Sequence, residues 1–119
     1  MDLIAKSHGH VSVVAVVGRI DQATADLFQA KLAFWLEMNK DGANPLLLDF
    51  SGVDYISSVG LRVLMLAARQ VKAQQGVIAI AALTPVVAEV FQISRFNKVI
   101  TVYPDVATAL VQLNTPFAA

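Results

Sequence analysis

The 119-residue chain contains no cysteine, which excludes a disulfide framework, a thiolate nucleophile and a thiolate metal site. Charge is sparse as well. Nine basic residues balance nine acidic ones, and both are scattered, so the basic stripe that a nucleic-acid partner requires is absent. The two histidines, His8 and His10, are spaced so that both can share one strand face, but no third ligand accompanies them and no metal site is expected. The phosphate-loop pattern G-x-x-x-x-G-K-[ST] is missing, so nucleotide hydrolysis is not expected. No uninterrupted apolar run approaches the roughly 18 residues that span a bilayer. The opening "MDLIAKSH" lacks a basic region followed by an apolar block, so neither a signal peptide nor membrane insertion is expected. A cytoplasmic setting fits these absences, and no cofactor is called for.

What the chain has in abundance is aliphatic surface. Fifty-six percent of its residues are apolar, which argues against disorder and for a largely buried sheet. The length suits one domain over residues 1–119. "LIAKSHG" and "HVSVVAVVGRI" read as two strands of an antiparallel hairpin joined at His8-Gly9. In the second, Val11, Val13 and Ala15 lie on one face, Val14 and Val16 on the other. Phe28, Leu32, Trp35 and Leu36 recur at helical spacing, with Asp21 or Thr24 to cap the start and Lys40 and Gly42 to fit the end.

"PLLLDF" is a short buried strand. After it, Leu61, Leu64, Met65 and Ala68 mark a second helix that ends near Gly76. "VIAIAAL" is another strand, and "TPVVAEVF" puts Thr84 at a cap position with Pro85 at the first helical position. "VITVY" and "DVATALVQL" complete the chain as a strand and a helix. Alternating strands and helices predict an α/β fold, with a mixed, mostly parallel sheet that opens on the hairpin and packs against helices.

Functional groups in such folds gather beyond the carboxyl ends of the strands. Asp21, Asp49, Ser57 and Ser58 all fall there. Either serine can cap the second helix, and an exposed cap hydroxyl can also accept a phosphate. A nucleophilic role needs a neighbouring base. The segment "ISSVG" lacks the first glycine of G-x-S-x-G, and only His8 or His10 can supply the base. Asp21 also reads as a helix cap, Asp49 as a strand-end carboxylate and Asp54 as a turn residue.

"LLLDFSGVDYISSVGLRVLM" closely resembles the signature of the STAS domain family, whose best-known members are bacterial anti-sigma factor antagonists. "VVAVVGRIDQATA" is similar to the family's second strand and the start of its first helix. "GVIAIAALTPVVAEVFQISRFNKVITVYPDVATAL" resembles its C-terminal half in order and spacing. The resemblance implies a STAS-type sandwich without catalytic activity. It implies binding to a serine kinase of the GHKL ATPase type that is also the anti-sigma factor, with a phosphatase to reverse the modification.

The family's usual local form is Asp-Ser-x-Gly. Aligning Gly60 with that glycine makes Ser58 the phosphorylated residue, with Ser57 as the alternative hydroxyl standing where aspartate is usual. Val59 and Leu61 would supply apolar contacts to the partner, and Asp21, Asp49 and Ser57 polar ones. Two other readings accompany this one: a non-phosphorylated adaptor subunit of a membrane lipid-transport ATPase, and a small hydrolase using Ser58.

Overall fold

Aliphatic residues at a period of two build β1 (Asp2–His8) and β2 (Val11–Val17) in the computed structural model, which describes residues 1–39 and 44–114. The pair is antiparallel, with Lys6 opposite Val13. Gly9 turns the chain at φ +64°, a backbone region open to glycine at little cost. The turn is therefore Gly9–His10, one residue later than expected.

β3 (Leu46–Gly52), β4 (Ile78–Ala81) and β5 (Thr101–Tyr103) follow. Each runs parallel to its neighbour, giving a five-stranded sheet in chain order. The architecture is the mixed α/β sheet that the alternation of strands and helices predicts.

Because each crossover steps the same way across the sheet, right-handed connections bring their helices to one face. These helices are α1 (Ala25–Glu37), α2 (Ser58–Ala73) and α3 (Pro85–Ile93). They enclose the main core, where Val14, Val16, Leu46, Leu48, Phe50 and Ile80 meet Phe28, Leu32, Leu64 and Phe91. The alternate strand residues Val11, Val13, Leu47, Ala79 and Ala81 face the other way, against α4 (Val106–Asn114). Both faces of the central strands are thus buried, as their near-continuous apolar sequence requires. No helix among the described residues is long and apolar enough to cross a membrane.

Several expectations shift. The buried line of α2 is Gly60, Val63, Leu64, Ala67 and Val71, while Leu61, Met65 and Ala68 are only half-buried at its margin. Gly60 and Ala67 alternate with Val63, Leu64 and Val71 along the buried line, and Leu61 and Met65 flank it. Thr84 does precede α3, but its hydroxyl donates to the Val53 carbonyl at 2.8 Å and makes no side-chain cap. β4 is shorter than "VIAIAAL" because Ala82 turns away at φ +63°. β5 loses Val99 and Ile100 to the segment that follows a 3₁₀ turn at Phe96–Lys98. The expected end of α1 at Lys40 and Gly42 lies outside the described residues; α1 itself closes on Met38.

Beyond α1, Asn39 is the sole buried polar residue among those described, 1% exposed. Its amide mimics a strand, donating to the Val77 carbonyl at 2.6 Å and accepting from the Val77 N–H at 3.0 Å. Gln74 donates to the carbonyls of Leu36 and Asn39 at 2.9 and 2.7 Å. This clasp joins the C-terminal ends of α1 and α2 to the start of β4, with its buried polar groups satisfied.

Candidate functional site

At the other end of α2, beyond the carboxyl ends of β2 and β3, two short extended segments run side by side. One is Arg19-Ile20-Asp21 and the other Tyr55-Ile56-Ser57. Ile20 and Ile56 form a parallel bridge. The Ile20 N–H donates to the Tyr55 carbonyl at 2.9 Å, and the Ser57 N–H to the Ile20 carbonyl at 2.8 Å. Both isoleucines are buried. Side chains alternate along an extended chain, so the residues flanking each isoleucine turn outward. Arg19 and Asp21 on one segment, with Tyr55 and Ser57 on the other, line one open pocket of about 480 Å³ that also includes Ser58 and Val59.

Gly60 allows this arrangement. A Cβ built on it would lie 2.7 Å from both Ile20 Cγ2 and Ile56 Cγ1, closer than carbon atoms tolerate. Its missing side chain therefore lets the first turn of α2 rest on the isoleucine pair, and that contact carries Ser57 and Ser58 to the pocket rim.

The two hydroxyls differ. Ser57, at the N-cap of α2, accepts from the Gly60 N–H at 3.3 Å, as the capping reading predicts. Ser58, the first helical residue, is exposed. Among the described residues its hydroxyl makes no hydrogen bond.

Asp21 holds the turn that leads into α1, whose N-cap is Thr24, without a side-chain cap bond of its own. Its Oδ1 accepts from the N–H groups of Ala23 and Thr24 at 2.9 and 3.2 Å. Thr24 Oγ1 in turn accepts from the Asp21 N–H at 3.0 Å and donates to the Arg19 carbonyl at 2.8 Å. The other carboxylate oxygen, Oδ2, pairs with Arg19 Nε at 2.9 Å. Partial burial pushes the Asp21 carboxyl up, but hydrogen bonds from Ala23 and Thr24 and the Arg19 charge outweigh it, leaving the group below its usual range. The Arg19 guanidinium carbon also stands 4.9 Å from the Tyr55 ring centroid, in cation–π range.

The structure thus brings Asp21, Ser57, Ser58 and Val59 together, and leaves Asp49 and Leu61 outside the pocket lining. Asp49 lies on β3 beside Ala15 and Ala81, and its carboxylate accepts from the Ser51 N–H at 2.9 Å. Leu61 packs against the core. Arg19 and Tyr55 belong to the pocket but were not expected from sequence. Their signal is the repeated polar–isoleucine–polar alternation, whose meaning depends on the two segments pairing. His8 ends β1 and His10 sits in the hairpin turn at the opposite end of β2, roughly 20 Å or more from Ser58 at about 3.3 Å per strand residue. Among the described residues, no three His, Cys, Asp or Glu side chains gather into a metal site.

Comparison with known proteins agrees with this geometry. The STAS domain model matches residues 2–109. Over 90 residues the chain is 37% identical to BtrV of Bordetella bronchiseptica, a protein that bears the name of an anti-sigma factor antagonist, and the match covers 76% of this chain and 75% of that one. A crystal structure of an anti-sigma factor antagonist from Mycobacterium paratuberculosis superposes with a TM-score of 0.81 at 26% identity, covering 94% of this chain and 92% of the other. The Bacillus cell fate determinant SpoIIAA in its phosphorylated form shares the fold, with a TM-score of 0.66 at 16% identity over 95% of this chain and 100% of that one.

Proposed function

This chain belongs to the STAS domain family, and we propose that it is an anti-sigma factor antagonist switched by phosphorylation of Ser58. Its partner in this reading is an anti-sigma factor that is also a serine kinase of the GHKL ATPase type. The observation that carries the choice of residue is the contrast between the two serines. Ser57 is held by the Gly60 amide, whereas Ser58 presents an exposed, unengaged hydroxyl at the pocket rim. The relative's name and the fold shared with a protein known in a phosphorylated form support the same reading.

In the unmodified state, Val59, 36% exposed, gives the partner an apolar foothold, and Ser57 and Asp21 add polar contacts beside it. Leu61 contributes from the margin of the α2 face, and Asp49 from the middle of β3 rather than from a strand end. The kinase then transfers the terminal phosphoryl group of a nucleoside triphosphate. The bond from Ser58 Oγ to phosphorus forms, the phosphoanhydride bond breaks, and the hydroxyl proton leaves to the kinase's base.

The product carries roughly 1.5 to 2 added negative charges. Inside this fold that charge is tolerated, because a helix N-terminus favours an anion by about 0.3–1 kcal/mol. In an interface formed around a neutral hydroxyl, the same charge costs several kcal/mol in desolvation and repulsion. The interface effect is the larger, so the domain stays folded and releases its partner. A phosphatase restores binding. The chain itself acts as a binding module in the cytoplasm, without catalysis, cofactor or nucleic-acid contact. The distance from His8 and His10 to Ser58 supports that part of the reading, since no imidazole stands near to serve as a base.

Incubation with the partner kinase and ATP, followed by peptide mass mapping, tests the assignment. Phosphate on Ser58 is expected. Modification of Ser57 instead, or of neither serine by a kinase that binds the chain, would contradict it.

A further inference from the structure

We propose that Arg19 is the intramolecular receptor for the Ser58 phosphate, and that it leaves Asp21 to bind the modified serine. The inference rests on Ser58 being the modified residue. Arg19 and Ser58 line the same pocket, and the bridge of Ile20 with Ile56 fixes the backbones on which they stand. The guanidinium is open to solvent, the Arg19 side chain being 61% exposed, so no packing has to break for it to swing between acceptors. Its ion pair with Asp21 is made through Nε alone, leaving the other guanidinium nitrogens available for a second acceptor.

The exchange is easy from the Asp21 side as well. Oδ1 keeps its bonds from the Ala23 and Thr24 amides, so the carboxylate remains held when Arg19 departs. At equal distance, a phosphate dianion attracts a guanidinium about twice as strongly as a carboxylate does, and its tetrahedral oxygens accept the paired N–H donors of arginine. The charged and titratable groups around Ser58 are Arg19 and Asp21 from the loop before α1, and Tyr55 from the loop after β3. Arg62 lies one helical turn along α2.

This transfer widens the effect of one modification. Before it, the charges of Arg19 and Asp21 cancel across their ion pair. Afterwards Arg19 faces the phosphate, Asp21 stands unpaired, and the Tyr55 ring loses its cation. The partner then meets an edge whose charge pattern has changed at several side chains. Arg19 acts here as a positioning residue with no part in the transfer chemistry.

The test uses the full chain with phosphoserine installed at position 58 during synthesis, so that no kinase is involved. Titration by ³¹P NMR reads the second ionisation of the phosphate. A guanidinium in contact favours the dianion, so the wild-type midpoint should lie at least about half a pH unit below that of Arg19→Gln. Arg19→Lys should recover part of the difference, and Arg62→Gln should titrate like wild type. Equal midpoints in wild type and Arg19→Gln would overturn the proposal, as would a rise in Arg62→Gln alone. If the kinase instead proves to ignore Ser58, mass mapping reports that failure separately.

Discussion

The two ends of α2 solve opposite problems with similar side chains. At the C-terminal end, Asn39 and Gln74 spend their amides on the backbone of Leu36, Asn39 and Val77, and Asn39 is sealed from water. At the N-terminal end, Arg19, Asp21, Tyr55, Ser57 and Ser58 line an open pocket, and among the described residues Ser58 keeps its hydroxyl outside any internal bond. A polar group consumed inside the fold holds elements together. One left at the rim, on a backbone fixed by buried isoleucines, is available to another molecule. The difference separates architecture from recognition within a single helix.

Substitutions at the two ends should therefore divide stability from binding. The largest loss of stability is expected for Asn39→Ala, which leaves the Val77 amide without its partner and takes one of two donors from the Val77 carbonyl, where the Leu46 N–H remains. Urea unfolding should show a loss of about 2–4 kcal/mol, since one orphaned amide costs about 1–3 kcal/mol and a further lost hydrogen bond about 0.5–1.5 kcal/mol. The folded fraction should still bind the partner normally.

Gly60→Ala should lower stability and binding together. Its new methyl meets Ile20 and Ile56 at 2.7 Å, so overpacking of about 1–3 kcal/mol is expected. Partner affinity should fall with it, because the first turn of α2 must lift. Ser57→Ala should cost about 0.5–2 kcal/mol as a lost cap, while mass mapping still finds phosphate on Ser58.

Acid sharpens the comparison further. Asp21 lies below its ordinary carboxylate range for the reasons given above. Asp105 does so because the Thr108 amide and hydroxyl bond its carboxylate against a smaller opposing effect of burial. A depressed folded-state pKa means stabilisation that is present above the unfolded value, near pH 4, and lost as pH falls through the folded value. Stability should thus be flat in these two groups near neutrality and decline below about pH 4. Asp21→Asn should remove part of that decline and leave the Asp105 part, as thermal unfolding across pH 2.5 to 6 would reveal. The smallest effect on stability is expected at Ser58 itself. Ser58→Ala should change unfolding by no more than about 0.5 kcal/mol.

Much of this was legible in the residues. Period-two alternation in "VSVVAVV" placed Val11 and Val13 opposite Val14 and Val16, and the structure buries them in two separate cores. Helical spacing located Phe28, Leu32 and Leu36 on the buried face of α1. The α2 face came out rotated because hydrophobicity ranks Leu61 and Met65 above Gly60 and Ala67, whereas the first turn rests so closely on Ile20 and Ile56 that only glycine fits there. Asp21 and Ser57 read as caps because capping is local chemistry. Arg19 and Tyr55 escaped notice because their meeting depends on pairing two segments 36 positions apart in the bridge of Ile20 with Ile56.

Charge on Ser58 should end partner binding without disturbing the fold. Isothermal titration calorimetry of the kinase with the unmodified chain and with the chain carrying phosphoserine at position 58 addresses this directly. The phosphorylated chain should show the same unfolding transition and an affinity lower by about 100-fold or more, the equivalent of about 2.7 kcal/mol. Equal affinities for the two forms would contradict the account.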